Sequence, residues 1–285
     1  MKRCTLVLVL ALLASAPGFA AELKIATWNL EWLTNRGSGD SRLPDDVHPR
    51  QPEDFDLLRR YAAEVDADVI AIQEVDGQAV AARVFPPERY SIHMTRDHVV
   101  QRVGLAVRRG LHYTVNPDVA GFDIDPGRQL RSGADITLQL AQSSLRVLAL
   151  HLKTGCFDER LNRTTRRACA ELREQIPPLR DWIAARRAEG VPFVVLGDFN
   201  RHMDGRDEFW ATLRQTAPLV RATEGHASPC WGGEAFIDHI LFGGAARDWL
   251  LPDTLRVLVY RETGEMWKGR LSDHCPVSVR LRVPD

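Results

Sequence analysis

The chain has 285 residues, 26% charged and 45% hydrophobic, with 37 Lys plus Arg against 38 Asp plus Glu. That length and apolar fraction exclude a disordered, collagen-like or small disulfide-stapled protein and leave room for one large core or two modest ones. The balanced charge argues against a protein that holds nucleic acid by bulk electrostatics, so an anionic partner has to be met by a local arrangement.

Residues 1–20 read as a secretory leader. Lys2 and Arg3 precede an apolar run over 6–13, and Gly18-Phe19-Ala20 has the small-x-small pattern of a cleavage site. The run is too short to span a bilayer as a stable anchor, and no later stretch reaches the roughly eighteen apolar residues a span requires. Cys4 lies ahead of the run, which does not suit a lipoprotein cleavage box. A cytosolic N-terminal helix is the alternative. Cleavage predicts a secreted or periplasmic protein of residues 21–285, with 35 basic against 38 acidic residues.

Beyond the leader, strand and helix patterns alternate. A strand over 23–28 precedes a helix over 52–65 and a strand over 68–72. A helix over 77–84 leads to strands over 103–107, 135–140 and 145–151. A long helix over 160–189 is followed by strands over 193–196, 236–242 and 276–281. In that helix Leu161, Ala168, Leu172, Ile176, Leu179 and Ile183 keep helical spacing; Pro177-Pro178 should kink or divide it, and Gly190 should stop it. Hairpin steps among strand–helix alternations predict a mixed α/β sandwich. With no repeat, low-complexity tract or linker in view, one domain over 21–285 is the simpler reading.

Cys156, Cys169, Cys230 and Cys275 follow the leader, an even number suited to an oxidising compartment, and no C-x-x-C pair points to zinc. Two disulfides are expected. Of the three pairings, Cys156 with Cys169 and Cys230 with Cys275 is favoured, because the first pair closes a short loop. Each would contribute about 3 kcal/mol by restricting the unfolded chain; free buried thiols are the alternative.

Chemistry-bearing side chains gather at strand ends. Asn29 and Glu31 follow the first strand, Glu74 ends the second, and His151 emerges from an apolar strand. Gly197-Asp198-Phe199-Asn200 places a carboxylate and an amide in one turn, with Gly197 allowing close backbone approach, and Asp238 and Asp273-His274 complete the set. Singly, each has a bland explanation as a cap, a turn residue or a satisfied core histidine; together they predict one cleft. The oxygen donors Asn29, Glu31, Glu74 and Asp273 suit a hard cation such as Mg²⁺ or Mn²⁺, and the absence of cysteine from the set disfavours zinc. With His151 and His274 as acid, base or hydrogen-bond groups, the inventory fits phosphoryl-ester hydrolysis. His239 adjoins Asp238 on a strand and should point to the opposite face.

The ordered set Thr27-Trp28-Asn29, Ile72-Gln73-Glu74, His151-Leu152, Gly197-Asp198-Phe199-Asn200, Ile237-Asp238 and Ser272-Asp273-His274 resembles the endonuclease/exonuclease/phosphatase superfamily, over about residues 23 to 282. Deoxyribonuclease I and exonuclease III-type abasic-site endonucleases are its similar branches. The resemblance implies a four-layer α/β/β/α sandwich of two packed mixed sheets flanked by helices, with the active site at one end. It implies Glu74 as principal metal ligand, assisted by Asn29 and Asp273. Glu31 stands where abasic-site endonucleases keep an acid, and reads either as a metal ligand or as an exposed loop glutamate. His274 resembles the catalytic histidine oriented by Asp238. Asp198 and Asn200 would position the water and the phosphate, with Asp198 or His274 as the base. His151 would stabilise the phosphate or assist the leaving group. Two departures leave the substrate open: Gly205 stands where deoxyribonuclease I-like enzymes carry a groove aromatic, and His202 where inositol polyphosphate phosphatases carry an arginine.

Arginine dominates the basic residues after the leader, where Lys24, Lys153 and Lys268 are the lysines. This is genomic composition or phosphate recognition. Arg128 and Arg131 in a glycine-containing loop, and Arg163 and Arg167 in a cluster beyond His151, are the candidate phosphate contacts, with a solvated helix face as the alternative for the cluster. Trp231 either stacks on a base or packs. The function expected is an exported, monomeric phosphodiesterase dependent on Mg²⁺, Mn²⁺ or Ca²⁺, a nuclease acting on DNA or RNA. The alternatives are a phosphomonoesterase or phospholipid headgroup hydrolase of sphingomyelinase or inositol phosphate type, and a catalytically silent binding protein.

Overall fold

The computed structural model describes residues 21–124 and 130–284; the leader and Arg128 lie outside that range. The elements in chain order are β1 (Glu22–Leu33), α1 (Pro52–Val65), β2 (Val69–Val75), α2 (Gln78–Val84), β3 (Tyr90–Met94), β4 (Arg102–Arg108), β5 (Tyr113–Val115), β6 (Ala134–Gln139), β7 (Ser144–His151), α3 (Arg167–Glu189), β8 (Phe193–Asp198), α4 (Glu208–Thr216), β9 (Leu219–Arg221), β10 (Ala227–Ser228), β11 (Glu234–Ala235), β12 (Asp238–Gly243), β13 (Arg256–Val257), α5 (Met266–Arg270) and β14 (Val277–Arg282). One six-stranded sheet has the order β13-β14-β1-β2-β4-β3 and the other β5-β6-β7-β8-β12-β9. Each contains one parallel pair, β1 with β2 and β7 with β8, among antiparallel neighbours. Parallel strands need a crossover connection, and α1 and α3 supply them.

Side-chain alternation turns these sheets into four layers. In β1, Leu23 and Ile25 enter the core between the sheets, while Ala26, Trp28 and Leu30 face α1 and α2, meeting Phe55, Leu58 and Tyr61. In β7, Leu145, Val147 and Ala149 face the first sheet, while Leu148 and Leu150 pack under α3 and α4 against Leu172, Ile183 and Phe209. The result is an α/β/β/α sandwich. Trp28 is fully buried; truncating so large a core ring to alanine costs about 3–5 kcal/mol.

The long helix differs from its sequence pattern in two ways. Residues 160–166 form turns, in which the Arg163 and Thr164 N–H groups donate to Arg160 O, so the helix starts at Arg167. Pro177 and Pro178 do not divide it. Leu172 on one side and Leu179 and Ile183 on the other bury into the same core, and buried Gln175 donates to Phe122 O at 2.8 Å and accepts from Lys153 N–H at 2.8 Å. Packing against the second sheet thus keeps both halves in one continuous helix despite the missing amide donors. The cysteines pair as Cys156–Cys169 and Cys230–Cys275, with Cα separations of 5.1 and 5.7 Å.

Candidate active site

The cleft lies where the rows of side chains facing between the sheets change from apolar to polar. Along β1 the inward row runs Ile25, Thr27, Asn29; along β7 it runs Val147, Ala149, His151; along β8, Val194, Leu196, Asp198; and along β12, from Phe242 through Ile240 to Asp238. Strand register then brings these ends level: Asp198 pairs with His151 on one side and with Asp238 on the other. Gly197 is needed for this alignment. Its φ is +148°, and a Cβ there would sit 2.0 Å from Leu150 O.

Asp198 is 1% exposed and held on both oxygens. Asn200 N–H donates to Oδ1 at 2.7 Å, and the Asn200 and Asn29 amides each donate to Oδ2 at 3.1 Å. Burial pushes its carboxyl up to about 7; Asp238 adds to the push, and His274 opposes it. His274 Nδ1 lies 2.7 Å from Asp238 Oδ2, and its Nε2 faces Asp198 Oδ2 at 3.8 Å. Burial alone would lower the His274 pKa, but the Asp238 and Asp198 carboxylates hold it well above its ordinary value. His151 is the opposite case. Burial, with Arg131 and His274 nearby, pushes its imidazole well below the usual range, so it is neutral. Its Nε2 stands 3.4 Å from Asp198 Oδ2 and 3.8 Å from Glu74 Oε1.

The first sheet reaches the cleft by broken geometry. Alternation would turn Glu74 toward the helices, but its backbone is left-handed (φ 61°) and the β2–β4 register shifts between Ile72 and Val75. That bulge re-aims the carboxylate, which accepts from Asn29 Nδ2 at 3.1 Å, from Trp32 N–H at 3.0 Å and from Gln101 Nε2. Glu31 and Trp32 are left-handed too, where β1 shifts register past Asn29. Such conformations cost about 1–3 kcal/mol each and persist where surrounding contacts enforce them. Glu31 is partly buried, not an exposed loop residue, and its Oε2 accepts from Asp273 N–H at 3.2 Å. Burial first, then Asp273, pushes the Glu31 carboxyl up to about 7, partly offset by Arg50.

His274 and Asp273 sit on a braced loop. Ser272 Oγ donates to Asn29 O at 2.7 Å and accepts from His274 N–H at 3.0 Å; Tyr260 OH donates to His274 O at 2.7 Å and accepts from Trp28 Nε1. Trp231 packs on Tyr260 with ring centroids 5.4 Å apart, and its Nε1 donates to Ser272 O. Buried Arg50 donates to Leu30 O, Glu31 O and Leu271 O, tying the same loop to the end of β1. Arg50, Gln101 and Tyr260 carry no motif that marks them in the sequence, whereas Ser272 stands in the Ser272-Asp273-His274 motif. Arg131 reaches the cleft, donating to Gln101 Oε1 at 2.9 Å, and its charge acts on Glu74 and Asp198. Arg163 and Arg167 are exposed, Arg163 in the turns ahead of α3 and Arg167 paired with Glu171 along it. His239 points away from the cleft, to Thr223 Oγ1 and Arg201 O, and burial pushes it down to about 3.

The donor set fits a hard divalent cation. Glu31, Glu74, Asp273 and the Asn29 amide offer oxygen ligands, and the burial and the Asp273 charge that raise the Glu31 carboxyl to about 7 are both offset by a cation. Asp198, Asp238 and His274 also offer ligand atoms within 4.8 Å of one another. There the Asp238–His274 hydrogen bond and the charged imidazole occupy the donor groups. Cys156 and Cys169, which lie beside Glu159, are consumed in their disulfide.

A model of the endonuclease/exonuclease/phosphatase family matches residues 26–274. The chain belongs to that family. The family works on phosphoesters with divalent metal, and the sandwich and its inward-facing acids are consistent with that chemistry. Similar solved structures include TDP2 from Caenorhabditis elegans, with TM-score 0.63 and 14% identity, covering 94% of this chain and 77% of that one. An endonuclease/exonuclease/phosphatase family protein from Bacteroides thetaiotaomicron has TM-score 0.58 and 15% identity, covering 92% and 98%. The human Nocturnin catalytic domain with bound sulfate has TM-score 0.55 and 15% identity, covering 91% and 93%. No curated protein matches the chain.

Proposed function

We propose that this family member is a divalent-metal-dependent phosphodiesterase, a nuclease hydrolysing DNA or RNA. The observation that carries the reading is the pairing of a charged His274, held by Asp238, with a buried Asp198 poised near neutral pH. Asp198 takes the proton of the attacking water, and Asn200 fixes that carboxylate. The His274 imidazolium stabilises the phosphoryl oxygens as charge develops. Neutral His151 and Arg131 contact the phosphate from the second sheet and the adjoining loop. Glu74, Glu31 and Asp273 would hold the cation, Mg²⁺ first and Mn²⁺ or Ca²⁺ as substitutes, and Asn29 bridges Glu74 and Asp198. When bound, the cation supplies concentrated positive charge at the scissile phosphate.

Two disulfides suit an oxidising compartment. With the leader-like residues 1–20, they support export to the periplasm or medium and a catalytic domain of residues 21–285. Among the described residues no helix is long and apolar enough to cross a membrane. The test is incubation of purified residues 21–285 with Mg²⁺, Mn²⁺ or Ca²⁺ and plasmid DNA, RNA, sphingomyelin or inositol phosphates. Cleavage of a nucleic acid, lost in His274→Ala, is expected. Silence on both nucleic acids with turnover of a lipid or monoester overturns the nuclease reading.

A further inference from the structure

Beside His274 opens a cavity of about 340 Å³, lined by Phe157, His202, Trp231, Phe236 and Lys268 among others. That volume is in the range that encloses a small organic ligand. Two of its aromatic walls, Phe157 and Trp231, are each fixed by a neighbouring disulfide. On one side Phe157 follows Cys156, bonded to Cys169, and stacks on His202 with centroids 5.8 Å apart and planes at 28°. His202 N–H donates to Phe157 O at 3.1 Å, and His202 Nδ1 lies 2.7 Å from Asp158 Oδ1. Arg201, paired with Asp207, donates to Cys156 O at 2.9 Å and pins the same turn from below. On the other side Trp231 follows Cys230, whose partner Cys275 adjoins His274. Rings locked this way lose little freedom when another ring stacks on them.

Resting on the nuclease reading, we infer that this cavity takes one unpaired nucleobase next to the scissile phosphate, making single-stranded nucleic acid the preferred substrate. Aromatic side chains bind bases through their faces, whatever the sequence. In a duplex those faces are covered by neighbouring pairs, so a base must leave the stack to enter a concave pocket. A lipid surface is disfavoured, because the exposed large hydrophobic residues among those described, Val115, Val259 and Met266, lie outside the cavity lining.

Three DNA substrates of one length test this with Mg²⁺: a single-stranded thymidine oligonucleotide, a single strand of base-free sugar phosphates, and a duplex. The wild type is expected to cleave the thymidine strand with kcat/KM at least about tenfold above the other two. Phe157→Ala should lose that preference through a higher KM on the base-bearing strand, and Phe157→Tyr should restore it. Equal cleavage of the thymidine and base-free strands by the wild type overturns the inference and leaves the nuclease reading standing, with no variant needed. A preference kept in a folded Phe157→Ala also overturns it. Failure to cleave any of the three, or a single-stranded uridine oligoribonucleotide of the same length, instead removes the nuclease reading, and the inference with it.

Discussion

The two sides of the cleft are built by opposite means. On the second sheet His151, Asp198 and Asp238 end three neighbouring strands in unbroken register, each continuing an apolar row. Their orientation follows from the pleat. On the first sheet Glu31 and Glu74 reach the cleft only through left-handed backbone and register shifts. Regular strand ends give fixed, desolvated groups whose proton affinities are displaced in opposite directions, His151 down and Asp198 up. Bulged ends bring to the cleft carboxylates that regular geometry would turn away from it. The first arrangement suits proton handling and the second suits a cation. Asn29 joins them, with one amide nitrogen donating to both Glu74 and Asp198.

The largest expected effect breaks the proton-handling side. His274→Ala should lower kcat by about 10³-fold, within the range for general acid–base groups, in steady-state cleavage of a single-stranded oligonucleotide with the circular dichroism spectrum unchanged. Asp238→Asn should act through His274: without the carboxylate the imidazolium loses its proton at lower pH, so the alkaline limb of the pH–kcat profile moves to lower pH. An unmoved limb removes Asp238 from that role. Breaking the bridge comes next. Asn29→Ala should weaken cation affinity about 10–100-fold in calorimetric titration, as for other groups that orient metal ligands, and lower kcat as well, because it frees carboxylates on both sides. A change in only one of the two would uncouple them.

The smallest effect sharpens the cation side. In chelated protein the Glu31 carboxyl ionises near 7 when folded but in the ordinary glutamate range when unfolded. Between those values the folded state binds more protons, so stability falls as pH rises from about 4.5 to 7. Thermal melts should show that decline, to which the raised Asp198 carboxyl also contributes; saturating divalent cation should reduce it, and Glu31→Gln should make it shallower. Identical slopes with and without cation would separate Glu31 from the metal.

Much of this was visible in the sequence for a physical reason. Helix 52–65 carries Pro52 at its first position and Glu53 and Asp54 in its first turn, signals that act locally, and α1 has those bounds. Apolar strands ending in Asn29, His151, Asp198 and Asp238 could be read because a period of two holds to the strand end. The short edge strand β3, with its half-exposed residues, gave no such period. The helix α4 was missed although Asp207 caps it, its side chain accepting from Trp210 N–H. Arg50 and Gln101 matter only through contacts from distant chain segments, to Leu271 O and to Glu74 and Arg131, which no local pattern encodes. Pro177-Pro178 do not divide the helix, because a local rule about amide donors yielded to burial of Leu172 and Leu179 in one core.

The most direct test of the division between the two sides is a divalent-cation titration of oligonucleotide cleavage by wild type and Glu74→Gln, starting from chelated protein. Wild-type activity is predicted to rise from nothing to saturation, with Glu74→Gln requiring at least about tenfold more cation while keeping its pH profile, since the proton-handling groups lie elsewhere. Full wild-type activity in chelator, or saturation of both proteins at the same cation concentration, would contradict the account.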